Sequence, residues 1–305
     1  MSVNRRDALK FLGCGAAGLG AVSATAFVGK NSHAHEVHET NGYGLMYDTT
    51  KCIGCMACVT ACNRANGLPP ETDAEGLHLA PPTLSAKTKN IIQLFKDDAG
   101  DYSFVKRQCM HCLDPSCVSG CPFEALEKAE HGIVVWHENK CLGCRFCAIA
   151  CPYEIPKFDW ENFNPKIVKC ELCSHRIANG QITACTDVCP TGAVIFGKRE
   201  DLLREAKQRI AQNPGTYFEN RVYGETEGGG TQVLYLSHVP FEDIGLPTLS
   251  DVSNPAYALE VQSLMYKWMA VPTLLYAGMA TAVRRSWKEH EEEHGDEEHG
   301  LREQL

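Results

Sequence analysis

The sequence has no excess of basic residues, because 38 Asp and Glu outnumber 29 Lys and Arg and the formal charge is −9. This balance excludes a nucleic-acid binder that works through a basic surface. Hydrophobic residues make up 44% of the 305 positions, which also excludes a disordered chain and a disulfide-stabilised miniprotein. The chain is long enough to bury one or two cores.

Cysteine is absent from residues 190–305, although the chain contains 17 cysteines. Sixteen of them lie between Cys52 and Cys189, and Cys14 is the remaining one. The sequence also lacks evident motifs for flavin, nicotinamide, haem or molybdopterin, and its three glycines at 228–230 stand outside any Rossmann or Walker frame. The cysteines therefore perform local chemistry in one domain that has no recognisable substrate site.

The first 34 residues resemble an export signal rather than a part of the fold. Arg5 and Arg6 precede a weakly apolar stretch rich in Gly and Ala, and small residues suited to cleavage follow it. This is the pattern of a twin-arginine signal, with Ala8 where the pattern prefers Phe. We therefore predict a signal peptide over 1–34, and Cys14 leaves with it.

Two segments of the cysteine-rich region are similar to each other. Residues 47–62 align with residues 136–151 at an offset of 89 positions, and both contain the run Lys-Cys-x-Gly-Cys. The two remaining cysteine groups correspond more loosely, and each of them ends in Cys-Pro. The region over 44–197 is therefore predicted to be a duplicated domain whose halves carry eight cysteines each.

The sixteen cysteines form four groups of four. The first and third groups have the spacing x2, x2, x3, the second has x2, x4, x3 and the fourth has x2, x11, x3. The third group continues into proline, which completes the bacterial ferredoxin run. The groups are Cys52, Cys55, Cys58, Cys62; Cys109, Cys112, Cys117, Cys121; Cys141, Cys144, Cys147, Cys151; and Cys170, Cys173, Cys185, Cys189. Since four thiolates bind one [4Fe-4S] cluster, the pattern predicts four clusters with no cysteine left over.

Disulfides and zinc are weaker interpretations of the same cysteines. Neighbouring positions in a tight loop rarely meet disulfide geometry. Structural zinc uses pairs of Cys-x2-Cys units with longer separators, and two consecutive x2 gaps are not its pattern. Lone histidines such as His111 and His175 are expected at the surface or beside clusters rather than as ligands, because the thiolates already fill the count. Arg145 and Lys169 are candidates to raise the potential of a neighbouring cluster.

The C-terminal third has three predicted parts. Residues 198–260 form an extension, with a packing helix over 200–211 and a strand over 233–236. Residues 262–283 are mostly uncharged and are interpreted as a transmembrane anchor in preference to a buried soluble helix. Residues 284–305 are rich in His and Glu, and we predict a solvated cytoplasmic tail there rather than a metal site.

The sequence resembles one known family along nearly its whole length. The similar features are the export signal, the four cysteine groups, residues 106–112, residues 223–234 and the C-terminal segment. Together they are similar to the HybA-type ferredoxin-like subunits of hydrogenase-2. The cysteine groups alone specify a broader class, which includes the iron–sulfur subunits of formate dehydrogenase and dimethyl-sulfoxide reductase. The resemblance implies an α+β fold: a duplicated bacterial-ferredoxin-like domain that binds four [4Fe-4S] clusters, with one C-terminal transmembrane helix.

The duplication alone permits more than one pairing of the cysteine groups, since the fourth cysteine of a run often serves another cluster. The resemblance to four-cluster subunits implies that the first cysteine group pairs with the fourth and that the second pairs with the third. The four implied ligand sets are set A (Cys52, Cys55, Cys58 and Cys189), set B (Cys170, Cys173, Cys185 and Cys62), set C (Cys109, Cys112, Cys117 and Cys151) and set D (Cys141, Cys144, Cys147 and Cys121).

The resemblance also implies a role in electron transport without a catalytic site in this chain. A [NiFe] hydrogenase, with its large and small subunits, would deliver electrons on the periplasmic side of the cytoplasmic membrane. An integral membrane quinone-reactive subunit would receive them. Two alternatives remain open from the residues: the same wire in a molybdopterin oxidoreductase of the formate dehydrogenase type or another membrane redox complex, and a mainly structural anchor.

Overall fold

The computed structural model describes residues 42–69, 83–96, 100–160 and 166–302, which belong to the larger of two units of the chain, over 37–305. The predicted signal peptide over 1–34 lies outside these residues. The strands are β1 (Tyr43–Asp48), β2 (Ile91–Lys96), β3 (Tyr102–Arg107), β4 (Leu126–Lys128), β5 (Val134–Trp136), β6 (Lys157–Phe158), β7 (Ile167–Val168), β8 (Val194–Lys198) and β9 (Val233–Leu236). The helices are α1 (Ala57–Ala65), α2 (Ser116–Ser119), α3 (Phe146–Ala150), α4 (Ser174–Ile177), α5 (Ala184–Asp187), α6 (Arg199–Gln212) and α7 (Asn254–Arg302).

A three-stranded sheet brings the two ends of the cysteine-rich region together. β1 lies in the centre, antiparallel to β8 and parallel to β9, so that Leu45 faces Phe196 on one side and Val233 on the other. β1 and β8 stand at the start and end of the predicted domain over 44–197, whereas β9 comes from the extension. The extension therefore completes the sheet of the domain that it follows.

The sequence repeat is visible in the backbone. A short 3₁₀ turn precedes each of the two similar cysteine runs, at Thr49–Lys51 and Glu138–Lys140. α1 and α3 then begin after residues with left-handed backbone, Met56 with φ 61° and Arg145 with φ 69°. These features recur at the offset of the sequence repeat, and three separate hairpins (β2–β3, β4–β5 and β6–β7) accompany the two halves.

Buried tyrosines connect the sheet to the loops around it. Tyr47, Tyr223 and Tyr235 are all at most 1% exposed, and each hydroxyl donates a hydrogen bond to a backbone carbonyl. The partner of Tyr47 is the carbonyl of Phe104 at 2.6 Å. A buried hydroxyl without a partner would cost about 1–3 kcal/mol, so these bonds fix how the large rings pack.

The predicted packing helix over 200–211 and the predicted strand over 233–236 are confirmed. α6 buries Leu202 and Ala206 against Met46 of β1 and Leu234 of β9. The first residue of α6 is Arg199, which is 7% exposed and donates to the carbonyls of Thr231, Gly224 and Glu225 at 2.7, 3.1 and 2.8 Å. One guanidinium therefore organises the glycine-rich loop that leads into β9.

Gly224 in this loop cannot accept a side chain. Its φ is +94°, and a Cβ there would clash with Oγ1 of Thr231 and lie 2.7 Å from the carbonyl oxygen of Val233. We expect Gly224→Ala to destabilise the protein by about 2–4 kcal/mol, the sum of left-handed strain and overpacking. Gly215→Ala is the matched control, since Gly215 has φ +79° and nothing within 4 Å of its Cβ position. Unfolding midpoints of the two variants measure the difference, and equal midpoints would contradict the packing argument.

The predicted membrane anchor over 262–283 lies inside α7 and is not supported. Among the helices of the described residues, none combines the length and the hydropathy that crossing a bilayer requires. The reason lies in the composition of the segment, because Gln262, Lys267 and Pro272 interrupt its apolar residues.

The expected tail over 284–305 differs from the prediction in its backbone. α7 continues into this segment as far as Arg302, so the backbone is helical to that point. A helix satisfies its own backbone hydrogen bonds, and the many Glu residues of this segment favour it, so a segment without a core can still be helical. Side chains of α7 up to residue 289 in this segment are exposed, in agreement with a solvated position.

Candidate metal centre

All sixteen cysteines between Cys52 and Cys189 are described by the structure, and all are free thiols. Fourteen of the sixteen are buried or half-buried, and Cys55 and Cys144 are the two exposed ones. Cys55 and Cys144 occupy equivalent positions in the two repeats. Because all sixteen of these cysteines are free, the structure does not support the disulfide interpretation.

The loops that carry the first and third cysteine groups are wound tightly. In the first loop Gly54 and Met56 have φ of 67° and 61°, and in the third Gly143 and Arg145 both have φ of 69°. A left-handed residue other than glycine costs about 1–2 kcal/mol and persists only where the surroundings demand it. The winding brings the first two cysteines of each run to one cavity together with the third, which lies in the first turn of the helix that follows.

Set A surrounds one cavity. Cys52, Cys55, Cys58 and Cys189 all line it, although Cys189 is far from the other three in sequence. Burial raises the pKa of Cys58 to about 12. Burial favours a raised pKa at Cys189 as well. Hydrogen bonds from the backbone N–H of Val194, from the hydroxyl and N–H of Thr191 and from the N–H of Ala193 outweigh this effect, so the pKa of Cys189 is lowered overall. These donors favour an anionic sulfur at the position where a thiolate ligand is expected.

Set D surrounds a second cavity. Cys121 lines it together with Cys141, Cys144 and Cys147, and the apolar side chains of Leu126, Phe158 and Ile167 close it. Burial raises the pKa of Cys147 to about 12, and the thiols of Cys141, Cys144 and Cys121 raise it further. The same four cysteines thus share one electrostatic environment.

The thiols of set B influence one another in the same way. Burial raises the pKa of Cys62 to about 11, and Cys185 and Cys173 add to the shift. Burial also raises the pKa of Cys170, with Cys62 as the largest contributor among the neighbouring thiols. Cys62 therefore lies with the fourth cysteine group rather than with the remainder of its own run.

The thiols of set C are likewise close to one another. Burial raises the pKa of Cys112 well above its usual value, and the thiols of Cys109, Cys117 and Cys151 raise it further. Burial raises the pKa of Cys117 to about 12, with Cys109 as the largest contributor among the thiols. Cys151, from the third run, thus joins the second group.

The four sets follow one another in a series. Cys58 of set A has Cys185 of set B as an electrostatic neighbour. Cys170 of set B has Cys109 of set C, and Cys117 of set C has Cys147 of set D. The order is therefore A, B, C, D, and each of the two terminal sets contains one exposed cysteine.

Three lysines are buried among these thiols: Lys106, Lys128 and Lys169, which are 0%, 6% and 2% exposed. Sequence reasoning considered Lys169 as a charge near a cluster and passed over Lys106 and Lys128. Arg145 is exposed and lies with its guanidinium carbon 4.0 Å from the centre of the Trp160 ring. Positive charge buried among the thiols therefore comes from the three lysines rather than from Arg145.

The two histidines beside the cysteines occupy different environments. His111 is 0% exposed, and its Nδ1 accepts a hydrogen bond from the backbone N–H of Val134 at 3.0 Å. Burial, followed by the charges of Lys169 and Lys128, lowers the pKa of His111 well below its usual value. His175 is exposed. His111 is thus a neutral group packed inside the cysteine region.

The residues of the four sets fit [4Fe-4S] clusters better than single metal ions. Within the described ranges, no three His, Cys, Asp or Glu side chains are close enough to share one ion. The four thiolates of a [4Fe-4S] cluster each bind a different iron, so they stand further apart than ligands of a single ion do. Four convergent thiols in a buried, N–H-rich environment are the donor set that such a cluster requires.

Comparison with known proteins agrees with this chemistry. Residues 51–125 match one family described as a 4Fe-4S dicluster domain, and residues 100–199 match another of the same description. The chain is 39% identical to the hydrogenase-2 operon protein HybA of Escherichia coli O157:H7, over 97% of this chain and 99% of that protein. The HybA of Shigella flexneri shows the same identity and coverage. The nitrate-inducible formate dehydrogenase iron-sulfur subunit of Escherichia coli K12 is 35% identical, over 63% of this chain and 67% of that protein.

Proposed function

This chain belongs to the family of the hydrogenase-2 operon protein HybA, and we propose that it relays electrons from a periplasmic [NiFe] hydrogenase to an integral membrane quinone-reactive subunit. The similarity to these relatives makes the chain an iron–sulfur electron-transfer subunit of an oxidoreductase. The proposal adds the donor, the acceptor and the side of the membrane. The twin-arginine pattern at Arg5 and Arg6 supports the periplasmic side.

The serial order of sets A to D is the observation that carries the proposal. Four sets of four thiols hold four [4Fe-4S] clusters, and each cluster, when bound, accepts and returns one electron. The thiols of adjacent sets are close enough to influence one another, so no step of the series is interrupted. The exposed Cys55 and Cys144 mark the two ends at which electrons enter and leave.

The protein around the clusters holds them and keeps water away. Sets B and C form the interior of the relay, since all eight of their cysteines are buried or half-buried. Apolar side chains such as Ile92 and Phe158 close the cavities of the terminal sets. In this proposal the oxidation of hydrogen belongs to the partner subunits.

A specific observation keeps a second candidate open. The iron–sulfur subunits of formate dehydrogenases are 34 to 35% identical to this chain over about two thirds of its length. The same relay could therefore serve a molybdopterin oxidoreductase. HybA differs from these relatives in that its similarity extends through nearly the entire chain, which favours the hydrogenase.

Metal analysis of the intact complex separates the two candidates. The full-length chain, purified by an affinity tag from membranes of its own host, is expected to bring with it nickel and subunits that oxidise hydrogen. Molybdenum with a formate-oxidising subunit would replace the proposal by the second candidate. A complex that contains neither metal would contradict both.

A further inference from the structure

Lys106 is a completely buried lysine. It lies in β3 opposite Ile92, it is 0% exposed, and its backbone carbonyl accepts the hydroxyl of Tyr235. Its ammonium donates to Oε1 of Gln108, a neutral amide that is itself 2% exposed. A buried charge is costly unless an opposite charge compensates it.

The negative charge that faces Lys106 comes from cysteines. In the part of the chain that the structure describes, no carboxylate forms an ion pair with its ammonium. Burial favours a lowered pKa of Lys106, but the thiols of Cys185, Cys58, Cys170 and Cys62 raise the pKa overall. Cys58 belongs to set A and the other three belong to set B. Lys106 also pairs across the β2–β3 hairpin with Ile92, which lines the cavity of set A, so the residue lies beside sets A and B.

The other two buried lysines are bound differently. The ammonium of Lys128 donates to the carbonyl of His111 at 3.2 Å and to that of Cys112. The ammonium of Lys169 donates to the carbonyls of Val134 and Cys170 at 2.5 and 3.2 Å. The ammonium groups of Lys128 and Lys169 thus donate to backbone carbonyls, whereas that of Lys106 donates to one side-chain amide oxygen.

We propose, on the basis of the four-cluster function given above, that the positive charge of Lys106 raises the reduction potentials of the clusters in sets A and B. Each cluster gains one negative charge when it takes up an electron. A fixed positive charge beside two clusters favours the reduced form of both, because the attraction is strong in a poorly solvated interior. Lys106 stays protonated throughout and transfers neither a proton nor an electron.

Lys106→Met removes the positive charge and replaces the side chain by one of similar volume. Lys106→Arg keeps a positive charge at the same position. The measurement is a potentiometric titration of the clusters in the full-length, cluster-loaded protein, followed by electron paramagnetic resonance. We expect two of the four clusters to titrate at lower potential in Lys106→Met and the other two to keep their potentials. In Lys106→Arg the potentials of these two clusters should stay close to those of the unaltered protein. Lys128→Met is the comparator and should leave the same two clusters unshifted, because Lys128 faces the thiols of set C.

Failure of this inference differs from failure of the proposed function. Fewer than four clusters in the unaltered protein would contradict the proposed function itself. Four clusters with unchanged potentials in Lys106→Met, or an equal shift of all four, would overturn the role of Lys106 alone. If Lys106→Met does not assemble its clusters, Lys106→Gln serves as the neutral variant. If both neutral variants lose their clusters while Lys106→Arg keeps four, the residue is structural and the inference is wrong.

Discussion

Replacement of Cys117 by Ser is expected to stop electron flow from hydrogen to quinone while leaving the hydrogenase reaction intact. Cys117 belongs to set C, an interior member of the series, so electrons cannot bypass it between set B and set D. A serine hydroxyl is a poor replacement for a thiolate on iron. Loss of a ligand should therefore lower hydrogen-dependent quinone reduction by about 10-fold or more. Hydrogen oxidation with an artificial dye should stay within about twofold of its original rate, because the dye takes electrons before the relay.

Ser119→Ala is the matched control for this variant. Ser119 lies on α2 with Cys117, is exposed and belongs to no ligand set. Assays of both reactions in washed membranes give the comparison. Equal loss of the dye and quinone activities in Cys117→Ser would contradict the relay. It would support the structural anchor, since damage to an anchor would release the hydrogenase from the membrane.

Replacement of Asp48 by Ala is expected to give one of the largest losses of stability in the chain. Asp48 is 0% exposed at the end of β1, and its Oδ2 accepts from Arg209 at 3.0 Å and from the hydroxyl of Tyr217 at 3.1 Å. Its Oδ1 accepts from the backbone N–H and the hydroxyl of Thr50 at 3.1 and 2.6 Å. One carboxylate thus ties the central strand to α6 and to the turn that leads into Cys52.

Removal of this carboxylate leaves Arg209, which is 9% exposed, without its buried partner. We expect a loss of about 3–5 kcal/mol in the free energy of unfolding. Asp201→Ala is the control, because its ion pair with Arg204 is exposed at the surface of α6 and contributes about 0–1 kcal/mol. Anaerobic denaturant titrations of the cluster-loaded variants measure both effects. A loss below about 1 kcal/mol for Asp48→Ala would contradict the role given to this carboxylate.

The cysteine arrangement could be predicted well because its signal is local. Spacing within each run defined the four groups, and the repeat at residues 47–62 and 136–151 indicated two similar halves. The distribution of Cys62, Cys121, Cys151 and Cys189 among the sets did not follow from spacing. It required a resemblance to four-cluster subunits, and the structure brings these four cysteines to the sets that the resemblance implied. Their binding of iron stays a prediction.

Features that depend on distant parts of the chain could not be predicted. The pairing of β9 with β1 joins residues far apart in sequence, and no local pattern indicates it. Burial of Lys106 and Lys128 was missed because lysine is normally exposed, and only the assembled cysteine sets compensate such charges.

The membrane anchor over 262–283 was predicted from the low number of charges in this segment. The mean hydropathy over a full span decides whether a helix can cross a bilayer, and no helix in the described part of the chain reaches the required value.

The central claim is that the sixteen thiols hold four clusters, and iron and sulfide analysis of the purified full-length protein tests it most directly. The account predicts about 16 iron atoms and about 16 acid-labile sulfides per chain, four of each in every cluster. The visible absorbance should bleach when dithionite is added. A protein with two clusters or fewer, or a colourless one, would contradict the account.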